Sequence, residues 1–191
     1  MNPLYGDRSQ LGVDIAGDVT LQRLLDEVPW LRVADTRGEF FMADTEVSYT
    51  YGRGRGERTY TSQPYCAGVR ELRDRLNEEL GRGGFYPLNV CFLNRYDHER
   101  EHLGWHADDH PGTDHTRPIA VVSFGQARKI QWRLTSQANG LPFPGEVHEQ
   151  LLEDGSLFVM PPGFQQRYQH RIPKGGRKFG PRVSLTFRAF K

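Results

Sequence analysis

Apolar residues recur along the chain with two different periods, and the change of period divides it. Leu21, Leu24, Leu25 and Val28 fall at i, i+3, i+4 and i+7, the stripe of an amphipathic helix that Pro29 ends. Val69, Leu72, Leu76 and Leu80 make a second stripe after Pro64. Glu71 and Arg75 are spaced there for an i, i+4 ion pair, and Gly81, Gly83 and Gly84 stop the helix. Residues 1–17 carry no period and read as an extended lead-in, and residues 30–61 read as short strands and turns. After Leu88 the pattern is that of β-structure. It predicts strands over 88–96, 102–108, 118–124, 129–134, 156–160, 166–172 and 182–190. Turns such as His110-Pro-Gly, Gly140-Leu-Pro and Pro161-Pro-Gly separate them. Many short strands punctuated this way predict a sandwich or barrel. Closed and double-sheet forms of that kind hold ligands in their mouths.

With 191 residues the chain is expected to form one domain with a sizeable core. Its net charge of +1 gives no overall field toward a polyanion. Only four of its 25 basic residues are lysine. Arginine suits bidentate recognition of phosphate and carboxylate, although a GC-rich genome gives the same bias. Cys66 and Cys91 sit in apolar settings with no C-x-x-C and read as reduced core residues. No signal peptide and no apolar run of membrane-spanning length is legible. A monomeric cytoplasmic protein without a membrane partner is therefore expected. One segment is distinctive: Tyr49-Thr-Tyr51 leads into Gly52-Arg53-Gly-Arg55-Gly-Glu-Arg58. Alternating glycine and arginine makes a flexible basic loop, either a solvated hairpin tip or a phosphate contact. It lacks the terminal Lys-Ser/Thr of a P-loop.

The chemistry concentrates between Asn94 and Asp108. His106-x-Asp108 places an imidazole and a carboxylate two apart, on one face if the segment is a strand. A third ligand would complete the two-histidine, one-carboxylate facial triad that holds iron(II) and leaves positions open. His170, 62 residues beyond Asp108, is the candidate. Zinc is the competing metal, since His98, His102, His106, His110 and His115 lie within eighteen residues. Structural zinc prefers cysteine and histidine in tight pairs, and no cysteine is nearby. Near the end, Arg182, Ser184, Thr186 and Arg188 share one parity, so both arginines can face a barrel interior. Six residues span roughly 20 Å of strand, so the two sit at different depths. A buried arginine needs an anion.

Asn94-x-Tyr96, His106-x-Asp108, His170 and Arg182-x5-Arg188, in this order, resemble the AlkB family of iron(II)/2-oxoglutarate dioxygenases. Ser123-Phe-Gly, Gly155-Ser-Leu and Pro181-Arg-Val-Ser-Leu-Thr-Phe-Arg188 look like its framework, and the likeness covers about residues 45–190. It implies a mainly β, α+β fold: a double-stranded β-helix (jelly-roll) core with supporting N-terminal helices. Residues 1–61 would be an N-terminal extension and nucleotide-recognition lid, 62–87 a support helix, and 88–191 the jelly roll. It implies Fe(II) on His106, Asp108 and His170, with 2-oxoglutarate and O2 as the other reactants. Arg182 with Tyr96 would hold the distal 2-oxoglutarate carboxylate, and Arg188 with Asn94 would lie near the carboxylate that chelates iron.

The branch most similar to this chain repairs methylated bases in DNA or RNA and releases formaldehyde. In it a flipped base stacks between a lid aromatic and the first iron-ligand histidine, here Tyr51 and His106. Tyr49 would support the base or the strand, and Arg53 and Arg55 would meet phosphate. Asp109 could attract a cationic N-methyl base. His110 stands where matching repair enzymes tend to have glutamate, and a histidine adds no fixed negative charge. Two other readings stand: the same oxidant acting on a modified base, a protein side chain or a small molecule, and a non-catalytic nucleic-acid-binding jelly roll.

Overall fold

The computed structural model describes residues 3–6, 14–51, 57–81, 84, 87–175 and 180–191, and of Tyr51 only the backbone. The expectations for Arg53 and Arg55, and for the Tyr51 ring, lie outside what it describes.

The strands, in chain order, are β1 (Leu4–Gly6), β2 (Leu31–Ala34), β3 (Arg37–Ala43), β4 (Ser48–Tyr51), β5 (Arg58–Thr61), β6 (Val90–Tyr96), β7 (Leu103–His106), β8 (Ile119–Gly125), β9 (Arg128–Leu134), β10 (His148–Leu152), β11 (Leu157–Met160), β12 (Tyr168–Ile172) and β13 (Arg182–Arg188). The helices are α1 (Leu21–Glu27), α2 (Ala67–Gly81) and the single turns α3 (Ser136–Asn139) and α4 (Phe164–Arg167). One sheet has the order β1-β11-β8-β13-β6-β3-β2, a second β10-β9-β12-β7, and β4 and β5 form a separate hairpin. The paired strands are antiparallel throughout. Two such sheets face to face are the jelly roll that the resemblance implied.

Strand parity decides what lies on each face. From β13, Val183, Leu185 and Phe187 join the largest core cluster, with Ala120, Val122 and Phe124 of β8 and with Leu24, Val69, Leu72 and Leu76 of the two helices. The alternate residues, Arg182, Ser184, Thr186 and Arg188, turn to the cavity between the sheets. Ile119 and Val121 of β8 meet Ile130, Leu152 and Ile172 of the facing sheet. Burying each such side chain contributes about 1.5–3 kcal/mol, so a one-residue slip would exchange the apolar face for the chemical one. The hairpin β4–β5 covers one end of the cavity through Tyr49 and Tyr60, packed with Phe41 and Phe92.

α1 forms where the stripe predicts, with the Thr20 hydroxyl accepting from the Arg23 amide. α2 begins at Ala67 rather than at Pro64. Glu71 does not pair with Arg75: it takes both terminal nitrogens of Arg23 on α1, at 2.7 and 3.1 Å. A planar guanidinium offers a carboxylate two parallel bonds, and this pair joins the two helices. The lead-in contributes β1, which pairs with β11. β2 and β3 belong to the seven-stranded sheet, so that sheet is not confined to residues 88–191. The strand predicted over 102–108 ends at His106, and that over 166–172 begins at Tyr168 because residues 164–167 form the turn α4. β10 had no counterpart in the sequence reading: its pattern, two exposed residues, one intermediate, one exposed and Leu152 buried, carries little alternation. Among the described residues no helix is long and apolar enough to cross a membrane.

Candidate active site

The cavity between the sheets has a volume of about 40 Å³ and is lined from both of them. At one end β7 delivers His106 and β12 delivers His170, which are register partners. Asp108 lies two residues past the end of β7. The strand-parity argument therefore reaches His106 only, and Asp108 is placed by other bonds. Its backbone amide donates to Gln165 Oε1 at 3.0 Å, and its Oδ1 accepts from Arg188 at 2.6 Å. His106 Nε2 lies 3.8 Å from Asp108 Oδ1, and His170 Nε2 lies 3.7 Å from Asp108 Oδ2. One donor atom of each residue falls within 4.8 Å of the others, a span that one ion could bridge. His106 Nδ1 sits 2.9 Å from the carbonyl oxygen of Gly104. That carbonyl can only accept, so Nδ1 carries the hydrogen and Nε2 keeps its lone pair toward the site.

The electrostatics suit a metal. Burial, and then the neighbouring His106, push His170 down to about 3 against the opposing pull of Asp108. Burial likewise lowers His106. Burial alone would raise Asp108, but Arg188, His170 and His106 outweigh it and hold the carboxyl at about 2. Two neutral imidazoles and one carboxylate are the protonation states that ligation requires. Asp108 Oδ2 and His170 Nδ1 are buried without a hydrogen-bond partner among the described residues. The Asp108 oxygen gives a cation a place. No cysteine takes part, and of the five clustered histidines only His106 belongs to this group.

Toward the other end lies Arg182, 1% exposed. Its Nη2 donates to Ser123 Oγ at 2.9 Å, while Nε and Nη1 are buried without partners. Tyr96, its register partner on β6, lies against it with the guanidinium carbon 5.3 Å from the ring centre. Burial lowers Arg182 to about 10; the Tyr96 phenol opposes that, and the like charge of Arg128 adds to it. Among the described residues no carboxylate is bonded to it. A buried cation that lacks an anion is costly, and a carboxylate of a dianionic cosubstrate would answer it. The donor set therefore fits iron(II) at one end and 2-oxoglutarate at the other.

Arg188 lines the cavity at the metal end, where it bonds to Asp108; on β6, Asn94 lies opposite Ser184 and Val90 opposite Arg188. Asn94 lines the cavity as expected but accepts from Arg37 Nε at 2.6 Å. Tyr49 is 3% exposed. Its ring packs 5.4 Å from Phe41 and Phe92 and 5.0 Å from His110, with the Arg188 guanidinium 5.3 Å away. That is the floor of the metal end, a supporting place rather than a free stacking face. Asp109 is exposed beside the site. His110 stacks on Phe190, centroids 5.3 Å apart and planes at 2°, and its Nδ1 accepts from the Gly112 amide. It serves as loop packing.

Four participants were not legible in the sequence. Gln165 anchors Asp108 but belongs to no motif. Arg128 donates to the carbonyls of Glu101 and Pro173, at 2.8 Å each, and lies over Tyr96. Arg37 and Glu39 form a buried ion pair on β3. A signal existed only for the last two, charged residues two apart at the head of the apolar run Phe40-Phe41-Met42.

The family model that matches the chain, over residues 20–188, is described as the 2OG-Fe(II) oxygenase superfamily. Among curated proteins, the human alpha-ketoglutarate-dependent dioxygenase alkB homolog 3 is 31% identical over 181 residues, covering 90% of this chain and 60% of the relative. The mouse DNA oxidative demethylase ALKBH2 is 33% identical over 146 residues, covering 76% of this chain and 58% of the relative. The Arabidopsis thaliana protein of that name is 30% identical over 136 residues, covering 63% and 42%. The chain thus spans about 60% of the length of its alkB homolog 3 relative.

Proposed function

Since the chain belongs to the 2OG-Fe(II) oxygenase superfamily, we propose that it uses iron(II), 2-oxoglutarate and O2 to remove alkyl groups from nucleic-acid bases. The observation that carries the cosubstrate assignment is Arg182, buried with two unpartnered nitrogens, while the Asp108 carboxylate in the same cavity wall is bonded to Arg188. The substrate assignment draws on the likeness to the alkB homologues and on the Gly-Arg segment next to Tyr51.

When bound, iron and 2-oxoglutarate supply an oxidation in which the keto acid loses CO2 and an N-methyl group is hydroxylated, then leaves as formaldehyde. The protein contributes binding, orientation and exclusion of water. His106, Asp108 and His170 would hold the metal, with Gln165 fixing the Asp108 backbone. Arg188 keeps the Asp108 carboxylate charged and aimed. Arg182 and Tyr96 would take the distal carboxylate of 2-oxoglutarate, with Asn94 beside them in the wall. Tyr51 and His106 would flank the flipped base, Asp109 would favour a cationic one, and Arg53 and Arg55 would meet phosphates.

Mass spectrometry of a methylated oligonucleotide panel, incubated with Fe(II), 2-oxoglutarate and ascorbate, tests this. The expected result is a loss of methyl mass matched by succinate. Succinate formed with no methyl loss on any DNA or RNA oligonucleotide would move the substrate to a protein or small molecule.

A further inference from the structure

The hairpin β4–β5 belongs to neither large sheet, yet one buried carboxylate ties it to the cavity wall. Glu39 on β3 is 1% exposed. Its Oε2 accepts from Arg58 Nη1 at 3.0 Å and from the Tyr60 hydroxyl, both on β5. Its Oε1 pairs with Arg37, itself 6% exposed. Arg37 Nε donates to Asn94 Oδ1 at 2.6 Å. Both Arg37 and Asn94 line the cavity.

We propose that Glu39 is a positioning residue that couples the β4–β5 hairpin to the cosubstrate cavity through Arg37 and Asn94. Each oxygen faces a different region: Oε2 the hairpin, Oε1 the wall. Glu39 and Arg37 are buried, so the contact between them is little screened by water, and Arg58, 27% exposed, reaches the same carboxylate from the hairpin. Loss of the Glu39 charge would leave Arg37 buried without its counter-charge, which ties the position of Arg37 to this carboxylate. Tyr60 is a dependable donor here, since burial and the carboxylate push its phenol up to about 12. The consequence for function rests on the proposed role of the hairpin in meeting nucleic acid. An oligonucleotide that presses on the hairpin would alter 2-oxoglutarate affinity, and a protein without oligonucleotide would hold the cosubstrate less well.

Anaerobic calorimetry of 2-oxoglutarate binding to the Fe(II)-loaded protein reads this in two arms. In the first, without oligonucleotide, Arg58→Met and Glu39→Gln should each weaken 2-oxoglutarate binding about fivefold, within the usual range of site-to-site coupling. The double variant should be no weaker than either. Thr50→Val removes a hydroxyl pair with Thr59 on the exposed side of the hairpin and should leave affinity unchanged. If Glu39→Gln melts, Tyr60→Phe replaces it, losing only the hydroxyl donated to Glu39. Unchanged affinity in Arg58→Met, or factors that multiply in the double variant, would overturn the coupling. In the second arm, saturating methylated oligonucleotide should tighten 2-oxoglutarate binding in the wild type and leave Glu39→Gln unaffected. Equal tightening in both would also overturn it. A wild type that bound no oligonucleotide would refute the proposed function, while the first arm would still decide the role of Glu39.

Discussion

Arg182 and Arg188 stand on one strand, with the same parity and full burial, yet their circumstances are opposite. Arg188 has its anion inside the protein. Its bond to Asp108 holds the guanidinium above its ordinary range although burial works the other way. Arg182 bonds a hydroxyl and lies against an aromatic ring, and burial, with the like charge of Arg128, brings it down to about 10. The difference teaches that a buried charge must be read with its partner. One arginine belongs to the electrostatics of the candidate metal site, and the other, under the proposed function, would take a carboxylate of the cosubstrate.

Removing Asp108 should break this comparison hardest. Asp108→Ala should abolish Fe(II)-dependent turnover of 2-oxoglutarate. It should also cost the metal-free fold about 3–5 kcal/mol, because Arg188 is left buried without its partner. His106→Ala should abolish turnover without that loss, and paired melting curves of the two variants check the distinction.

Arg182→Met should act in the opposite sense on stability. The metal-free protein should melt no lower than wild type, since an uncompensated buried charge is gone. The loss appears in 2-oxoglutarate binding instead, about 2–5 kcal/mol or on the order of 30- to 5,000-fold by calorimetry. A clear fall in melting temperature with unchanged 2-oxoglutarate affinity would make Arg182 a structural residue.

Arg188→Met sharpens the contrast through pH. Asp108 is held at about 2 against an ordinary value of 3.8. A depressed carboxyl stabilises the fold fully above its unfolded value and loses that contribution as pH falls through the folded one. In metal-free wild type, about 2–3 kcal/mol should therefore disappear between about pH 4 and pH 2. In Arg188→Met this part of the acid transition should move to higher pH. Denaturant melts across that window measure it.

The smallest effects belong to the substrate side. Tyr51→Ala should cost roughly 1–3 kcal/mol of oligonucleotide binding, with its salt dependence intact. Replacing Arg53, Arg55 and Arg58 with alanine should flatten the log–log salt slope by roughly two to three units. Filter binding at several salt concentrations separates the two. Because Arg58 also touches Glu39, Arg53 and Arg55 should additionally be replaced without it.

Local pattern sufficed wherever a residue's neighbours in sequence are its neighbours in space. The helical stripe of Leu21 to Val28 and the parity of Arg182 to Arg188 are of this kind and made much of the core legible; the candidate metal site was legible from the family's motif order, since Asp108 lies past the end of its strand. Partner choice was not legible. Glu71 could reach Arg75 on its own helix yet pairs with Arg23 across 48 positions; Arg188 meets Asp108 across 80; Asp108 hangs on Gln165 across 57. A buried charge takes whichever counter-charge the packed sheets bring within hydrogen-bond reach, and unscreened electrostatics reward that contact whatever the distance along the chain. The sequence by itself set which side chains face inward, because parity follows from backbone geometry. Which of those inward charges neutralise one another, and which is left for a ligand, was decided only when the two sheets closed.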